Sequence, residues 1–192
     1  MRAWPTWAVA LPAVLKSAVR VALATVLILL LPLLAMQFTD EVAWTLLDFA
    51  VAAVLLFGAG LTYELVARNA GNSAYRAAVG VAVAAALLLV WLNLAVGLIG
   101  SEDDPANLAY LGVLVVGIVG AFIARLRPLG MACALLAAAL AQALIALTAL
   151  AARGLGYLSS EPLEILGVNG LFVALFAGSA WLFWRAARTN PG

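Results

Sequence analysis

The segment from residue 44 to residue 68 most constrains this chain, because it is long and apolar and yet contains two carboxylates. It reads WTLLDFAVAAVLLFGAGLTYELVAR, and its acidic residues are Asp48 and Glu64. About 20 apolar residues in a helix cross the hydrocarbon core of a bilayer. A carboxylate inside such a span is costly, so it usually has a partner or a function. The segment therefore predicts a membrane-spanning helix whose two carboxylates each need a partner or a function.

The composition extends this prediction to the whole chain. Of the 192 residues, 67% are apolar and 10% are charged. A soluble domain of this size cannot bury that many apolar residues, because much of its exterior must be polar. The chain has no His, which excludes imidazole metal ligands and His-based acid–base catalysis. The net charge of +1 provides no basic field for nucleic acid. We therefore expect no cofactor, no metal, no nucleic-acid partner and no enzymatic activity.

Six apolar segments separated by short polar links predict an all-α protein, a six-transmembrane-helix bundle that forms one domain over residues 1–192. The predicted helices cover residues 21–38, 44–68, 75–100, 106–126, 129–152 and 163–187. Residues 1–16 contain Trp4, Trp7 and two prolines, and predict a segment that lies at the membrane interface. No small-x-small cleavage site follows the first apolar run, so we expect an uncleaved first helix.

The charges predict an orientation. With six crossings, nine of the ten basic residues fall on one side of the membrane, and only Arg153 falls on the other. Basic residues favour the cytoplasmic side, so both termini are predicted to be cytoplasmic. The alternative is a five-helix arrangement, which removes this asymmetry of basic residues. The acids on the outer side fit caps at helix starts, with a cation-attracting mouth as the alternative: Asp40, Glu41, Glu102, Asp103, Asp104, Glu161 and Glu164.

The two carboxylates of the 44–68 segment have different predicted roles. They lie roughly 24 Å apart along a helix, which excludes a paired-carboxylate site between them. Glu64 is four residues before Arg68, a spacing that predicts a structural ion pair between them. Asp48 has no basic residue at helical spacing. Its side chain either reaches the outer headgroups or water and bonds to its neighbours Trp44 or Thr45, or it has a function, and the sequence favours neither.

Asparagines and glutamine supply the other polar side chains inside the predicted spans. Asn93, Gln142 and Asn169 are each predicted by default to hydrogen-bond across a helix interface. Asn93 and Asn169 lie in the outer half of the membrane, at the depth of Asp48, so these three residues form the candidate intramembrane polar site. Aromatic residues near the helix ends fit interfacial belts: Trp44, Trp91, Trp181, Trp184, Tyr110 and Tyr157.

Small residues recur along the predicted helices. One stripe in the fourth helix includes Gly117 and Gly120, and one in the sixth includes Gly167, Gly170 and Gly178. Small residues let helix backbones approach closely in membranes. The stripes therefore predict a closely packed bundle without a wide pore.

Several stretches together resemble a group of small bacterial integral membrane proteins that have no assigned activity. They are AMQFTDEVAWTLLDF (35–49), GAGLTYELVAR (58–68), WLNLAVGLIGSEDDPAN (91–107), GMACALLAAALAQALIAL (130–147) and ILGVNGLFVALFAGSAWLF (165–183). The resemblance implies a bacterial inner-membrane location. It implies no substrate and no functional residues.

Three functions remain open from the sequence. The first is transport or permeation of an ion or small solute, with Asp48, Asn93 and Asn169 as the polar site. The second is an accessory or assembly subunit that packs against a second copy or another membrane protein. A membrane enzyme acting on a lipid is the least favoured, because no nucleophile–base pair is visible. Membrane lipids are expected partners in each case.

Overall fold

A computed structural model describes residues 6–68, 70, 72–99, 104–156 and 162–189, with side chains from residue 14 onward. These residues form helices and no strand. The helices are α1 (Thr6–Ala35), α2 (Leu46–Ala67), α3 (Ser73–Ala95), a 3-10 helix (Pro105–Leu108), α4 (Ala109–Ala124), α5 (Pro128–Gly154) and α6 (Pro162–Thr189). Six spans are long and apolar enough to cross a membrane, with the 3-10 helix and α4 forming one of them. The predicted all-α fold with six such helices is confirmed.

The first helix is longer than predicted. It begins at Thr6 and continues through Pro12 and Pro32, whereas the predicted first helix began at residue 21. A helix tolerates proline in a membrane when nearby groups bond the freed carbonyl, so the two prolines do not mark its ends. The membrane-length part of α1 begins at Val14. Residues 1–5 of the predicted interfacial segment lie outside the described residues.

The third helix is shorter than predicted. It ends at Ala95, and Gly97 has φ +72°, a left-handed conformation that takes the chain out of the helix. Asp104 then caps the 3-10 helix, because its side chain accepts a hydrogen bond from the Ala106 amide at 2.8 Å. This agrees with the capping interpretation of that acid. Glu164 likewise lies in the first turn of α6, whereas Asp40 and Glu41 precede Thr45, the residue that caps α2, so the prediction that they cap this helix was wrong. The other three predicted caps, Glu102, Asp103 and Glu161, lie outside the described residues.

The chain divides into two compact units, residues 1–68 and residues 69–192. The single domain over residues 1–192 stays a prediction. The first unit is an antiparallel pair formed by α1 and α2. Gly60 allows close contact, because a Cβ atom placed there would lie 2.7 Å from Val21 Cγ1. The second unit contains α3 to α6, in which α6 packs against α3 and α5, and α5 also packs against α4.

The core of the second unit is built on α6. Phe172 and Phe183 are fully buried, as is Leu89 from α3. The buried Ser179 hydroxyl donates to the Ala78 carbonyl at 2.8 Å, which ties α6 to α3. The outward faces of the helices expose leucine, valine and isoleucine side chains, as expected for helices solvated by lipid.

A tight turn joins α4 to α5. Arg125 and Leu126 have φ of 49° and 58°, and α5 begins at Pro128. A Cβ atom on Gly120 would lie 2.5 Å from Ala134 Cβ, so these helices pack closely on the small residues predicted to do this. Not every glycine of the stripes is used in this way: a Cβ atom on Gly117, Gly167 or Gly170 would have open space around it.

Candidate functional site

Asp48 lies at the start of α2 and completes a capping box with Thr45. The Asp48 carboxylate accepts hydrogen bonds from the Thr45 amide at 2.7 Å and from the Thr45 hydroxyl at 2.8 Å. The Thr45 hydroxyl in turn accepts from the Asp48 amide at 3.3 Å. These bonds occupy amide groups that the first turn of a helix otherwise leaves unpaired. Of the two alternatives for Asp48, the structure therefore shows local hydrogen bonding to Thr45. The Asp48 side chain is exposed.

Asn93, near the end of α3, contacts the segment that leads into α4. Its Nδ2 donates to the Asn107 carbonyl at 3.3 Å. The buried Asn107 side chain accepts from the Leu98 and Ile99 amides, each at 2.9 Å, and donates to the Ile99 carbonyl. The Asn107 side chain therefore fixes the segment that follows α3. Asn93 in turn fixes Asn107, through the Asn107 carbonyl.

Asn169 is the centre of a buried polar cluster that joins three helices of the second unit. Its Oδ1 accepts hydrogen bonds from the Tyr110 hydroxyl of α4 and from Gln142 Nε2 of α5, both at 3.0 Å. Its Nδ2 donates to the Ile165 carbonyl one turn earlier in α6, at 2.9 Å. Asn169 and Gln142 expose no surface, and Tyr110 exposes 1%.

The hydrogen bonds fix the amide orientations in this cluster. Because Ile165 offers only a carbonyl, the Asn169 atom that faces it must be the NH2 group. The Asn169 oxygen then faces Gln142, which must present its own NH2 group. Gln142 Oε1 is left buried without a hydrogen-bond partner among the described residues, and so is Asn93 Oδ1. An unpaired buried acceptor is uncommon, so Gln142 is the most unusual polar side chain in the cluster.

The three residues of the candidate polar site have separate hydrogen-bond partners. Asp48 belongs to the first unit, whereas Asn93 and Asn169 belong to the second. Asn93 bonds to Asn107, and Asn169 bonds to Tyr110, Gln142 and Ile165, so no hydrogen bond joins these two asparagines.

Glu64 has a different partner from the one predicted. Its carboxylate forms a salt bridge with Arg20 of α1 at 3.2 Å and accepts a hydrogen bond from the Ser17 hydroxyl at 2.9 Å. Within the described residues, Arg68 forms no salt bridge with it. The prediction from i, i+4 spacing was wrong, because the antiparallel packing of α1 brings Arg20 to the same carboxylate.

Tyr110 was also misassigned from the sequence. It was placed in an interfacial belt because it lies near a helix start, but it is buried and bonds to Asn169. Trp181 and Trp184 are partly exposed, and Arg185 and Arg188 lie over their rings at 4.8 and 3.6 Å. A buried tyrosine in a membrane helix needs a hydrogen-bond partner for its hydroxyl. The amides Gln142 and Asn169 were the sequence features that could have indicated a buried position for Tyr110.

Within the described ranges, no group of three or more His, Cys, Asp or Glu side chains is arranged to hold a metal ion. Comparison of the chain with protein-family models, with curated proteins and with solved structures finds no match.

Proposed function

We propose that this chain is an accessory or assembly subunit of the bacterial inner membrane, with no chemistry of its own. The observation that carries the proposal is that Asp48, Asn93 and Asn169 each make structural hydrogen bonds to separate partners, to Thr45, Asn107 and the Tyr110–Gln142 pair respectively. A transport site built on these residues requires them to face a common solute. Their hydrogen bonds instead cap a helix, hold a turn and join helices.

The exposed small residues support a role in association. Gly167 and Gly170 lie on an exposed face of α6, with open space beside each. Small residues on a lipid-facing surface allow a second helix to approach closely. We propose that this face of α6 packs against another membrane protein or a second copy of the chain.

Site-specific cross-linking tests this role. A photo-reactive residue is introduced at position 170 in the full chain and irradiated in native membranes. We expect a discrete protein–protein product from this position and none from position 140, where Leu140 is 65% exposed on α5. Products of equal yield from both positions, or lipid adducts alone from position 170, contradict the proposal.

Transport is the second candidate function, and Gln142 favours it. Its Oε1 is a buried acceptor without a hydrogen-bond partner in the described part of the chain. This oxygen is free to bind a permeating cation or a proton donor. Proteoliposomes that contain the full chain test this function. Transport is supported by an ion or proton flux above that of empty vesicles, if Gln142→Leu reduces this flux and Asp48→Asn does not. A flux equal to that of empty vesicles excludes this function.

A further inference from the structure

A cavity of about 670 Å³ lies in the first unit, on the surface of the α1–α2 pair. Its lining residues come from the first turns of the membrane-length part of α1 and from the residue that follows α2: Leu15, Lys16, Ser17, Val19, Arg20 and Arg68. The cavity therefore lies where one span begins and the other ends. Leu15 and Arg20 are roughly 7.5 Å apart along α1, so the lining extends over about the depth of a headgroup region.

The charge of this cavity is positive. Three of its lining residues are basic, and among the described residues the one acid in contact with them is Glu64, which bonds to Arg20 and Ser17. Lys16 and Arg68 form no salt bridge within the described residues. Three positive charges less one negative charge leave a local excess of two. Asp48 is four turns of α2 away from Glu64, at the other end of that helix.

Arg20 retains donors for a ligand. Its contacts with Glu64 and Ser17 both use Nη2, whereas a guanidinium group has five N–H donors. The Arg20 side chain is 67% exposed, and that of Glu64 is 25% exposed. Glu64 therefore holds Arg20 in place without covering it.

Apolar side chains form the other part of the lining. Leu15 and Val19 are one helical turn apart and are 66% and 52% exposed. Lys16 and Arg20 are likewise one turn apart and adjoin them on α1. This arrangement places a strip of cations beside a strip of hydrocarbon at the end of a span. A free inorganic anion gains nothing from the apolar strip, whereas a lipid uses both.

We propose that this cavity binds an anionic phospholipid, whose phosphate lies among Lys16, Arg20 and Arg68 and whose acyl chain lies along Leu15 and Val19. Basic pockets between transmembrane helices bind the headgroups of anionic lipids. The proposal concerns the first unit and stands independently of the accessory role of α6.

Lipid affinity of the full chain in a zwitterionic detergent tests the proposal, with fluorescent phosphatidylglycerol and phosphatidylcholine as probes. We expect tighter binding of phosphatidylglycerol. Each basic residue removed should weaken that binding about fivefold, so Lys16→Gln with Arg68→Gln should weaken it about 25-fold, with phosphatidylcholine unchanged. These two substitutions leave the Arg20–Glu64 bridge intact, and helicity by circular dichroism verifies that the variant folds.

The matched control is Arg185→Gln with Arg188→Gln, which removes two basic residues from α6 in the second unit. Phosphatidylglycerol binding should be unchanged in this variant. Equal loss in the control, no loss in the Lys16 and Arg68 variant, or equal affinity for the two lipids overturns the proposal. Displacement of phosphatidylglycerol by millimolar inorganic phosphate also overturns it, because the site would then recognise a free anion.

Discussion

Gln142 of α5 donates a hydrogen bond to Asn169 of α6 at 3.0 Å, and neither side chain exposes any surface. The Asn169 oxygen that accepts this bond also accepts one from Tyr110. One oxygen thus links α4, α5 and α6. Asn169 and Gln142 differ in how many of their polar groups are paired: Asn169 uses its oxygen and its NH2 group, whereas the Gln142 oxygen has no hydrogen-bond partner among the described residues.

This asymmetry predicts unequal costs for two similar substitutions. Asn169→Leu leaves the Tyr110 hydroxyl and the Gln142 NH2 group without their acceptor, and we expect the free energy of unfolding to fall by about 2 kcal/mol. Gln142→Leu removes one donor and an acceptor that was already unpaired, so its cost should stay below about 1 kcal/mol. Unfolding in sodium dodecyl sulphate mixed micelles, followed by circular dichroism, measures both.

The double variant and a surface control complete this test. Adding Gln142→Leu to Asn169→Leu should recover part of the loss, because it removes one of the unpaired donors. Thr148→Val deletes an exposed hydroxyl that bonds to Ile145 within its own helix, and should change stability by less than about 0.5 kcal/mol. Equal costs for the two single leucine substitutions would refute the central role of Asn169.

Gly120 predicts a steric cost at the α4–α5 contact. In Gly120→Ala the new Cβ atom would lie 2.5 Å from Ala134 Cβ and 3.2 Å from Ala134 Cα, so the backbones must separate. We expect a loss of about 1–3 kcal/mol. Gly117→Ala, three residues earlier, meets open space and should stabilise the helix by about 0.8 kcal/mol. Thermal unfolding in detergent distinguishes the two signs, and partial rescue of Gly120→Ala by Ala134→Gly would locate the clash.

The α4–α5 turn predicts a stabilising substitution. Arg125 has φ 49°, a left-handed conformation that costs a residue with a side chain roughly 1–2 kcal/mol. Arg125→Gly removes this strain but makes the unfolded chain more flexible, so we expect a net gain of about 0.5–1 kcal/mol. Arg125→Ala loses the same charge and keeps the strain. A gain in melting temperature for alanine equal to that for glycine would attribute the effect to charge instead.

The helices could be predicted from the sequence because long apolar runs and short polar links are local features. Contacts between helices were harder to predict. The i, i+4 rule assigned Arg68 to Glu64, but Arg20 is 44 residues away along the chain and reaches the same carboxylate through the packing of α1 on α2. Tyr110 was placed at the interface because its neighbours suggested a helix start, whereas its partners Asn169 and Gln142 lie on other helices.

The division into two units was likewise not visible in the pattern of apolar residues, because lipid-facing and protein-facing helix surfaces are both apolar. For Asp48, a local bond to Thr45 was one of the two predicted alternatives, but the capping box was not predicted, although the Thr45-x-x-Asp48 spacing was a local signal for it. The role of Asn107 was missed, because it depends on where the chain turns after Gly97.

The Arg20–Glu64 pair gives a direct test of the α1–α2 packing. Because Arg20 is 67% exposed, we expect a coupling energy of only about 0.5 kcal/mol between Arg20→Gln and Glu64→Gln in a double-mutant cycle. The cycle between Arg68→Gln and Glu64→Gln should give a coupling near zero, since the Arg68 side chain forms no salt bridge with the Glu64 carboxylate in the described part of the chain. Both cycles are measured by unfolding of the full chain in the same detergent at low ionic strength, where screening of exposed charges is weakest. A coupling confined to Arg68 would mean that Glu64 pairs within α2, and that the interhelical bridge does not form.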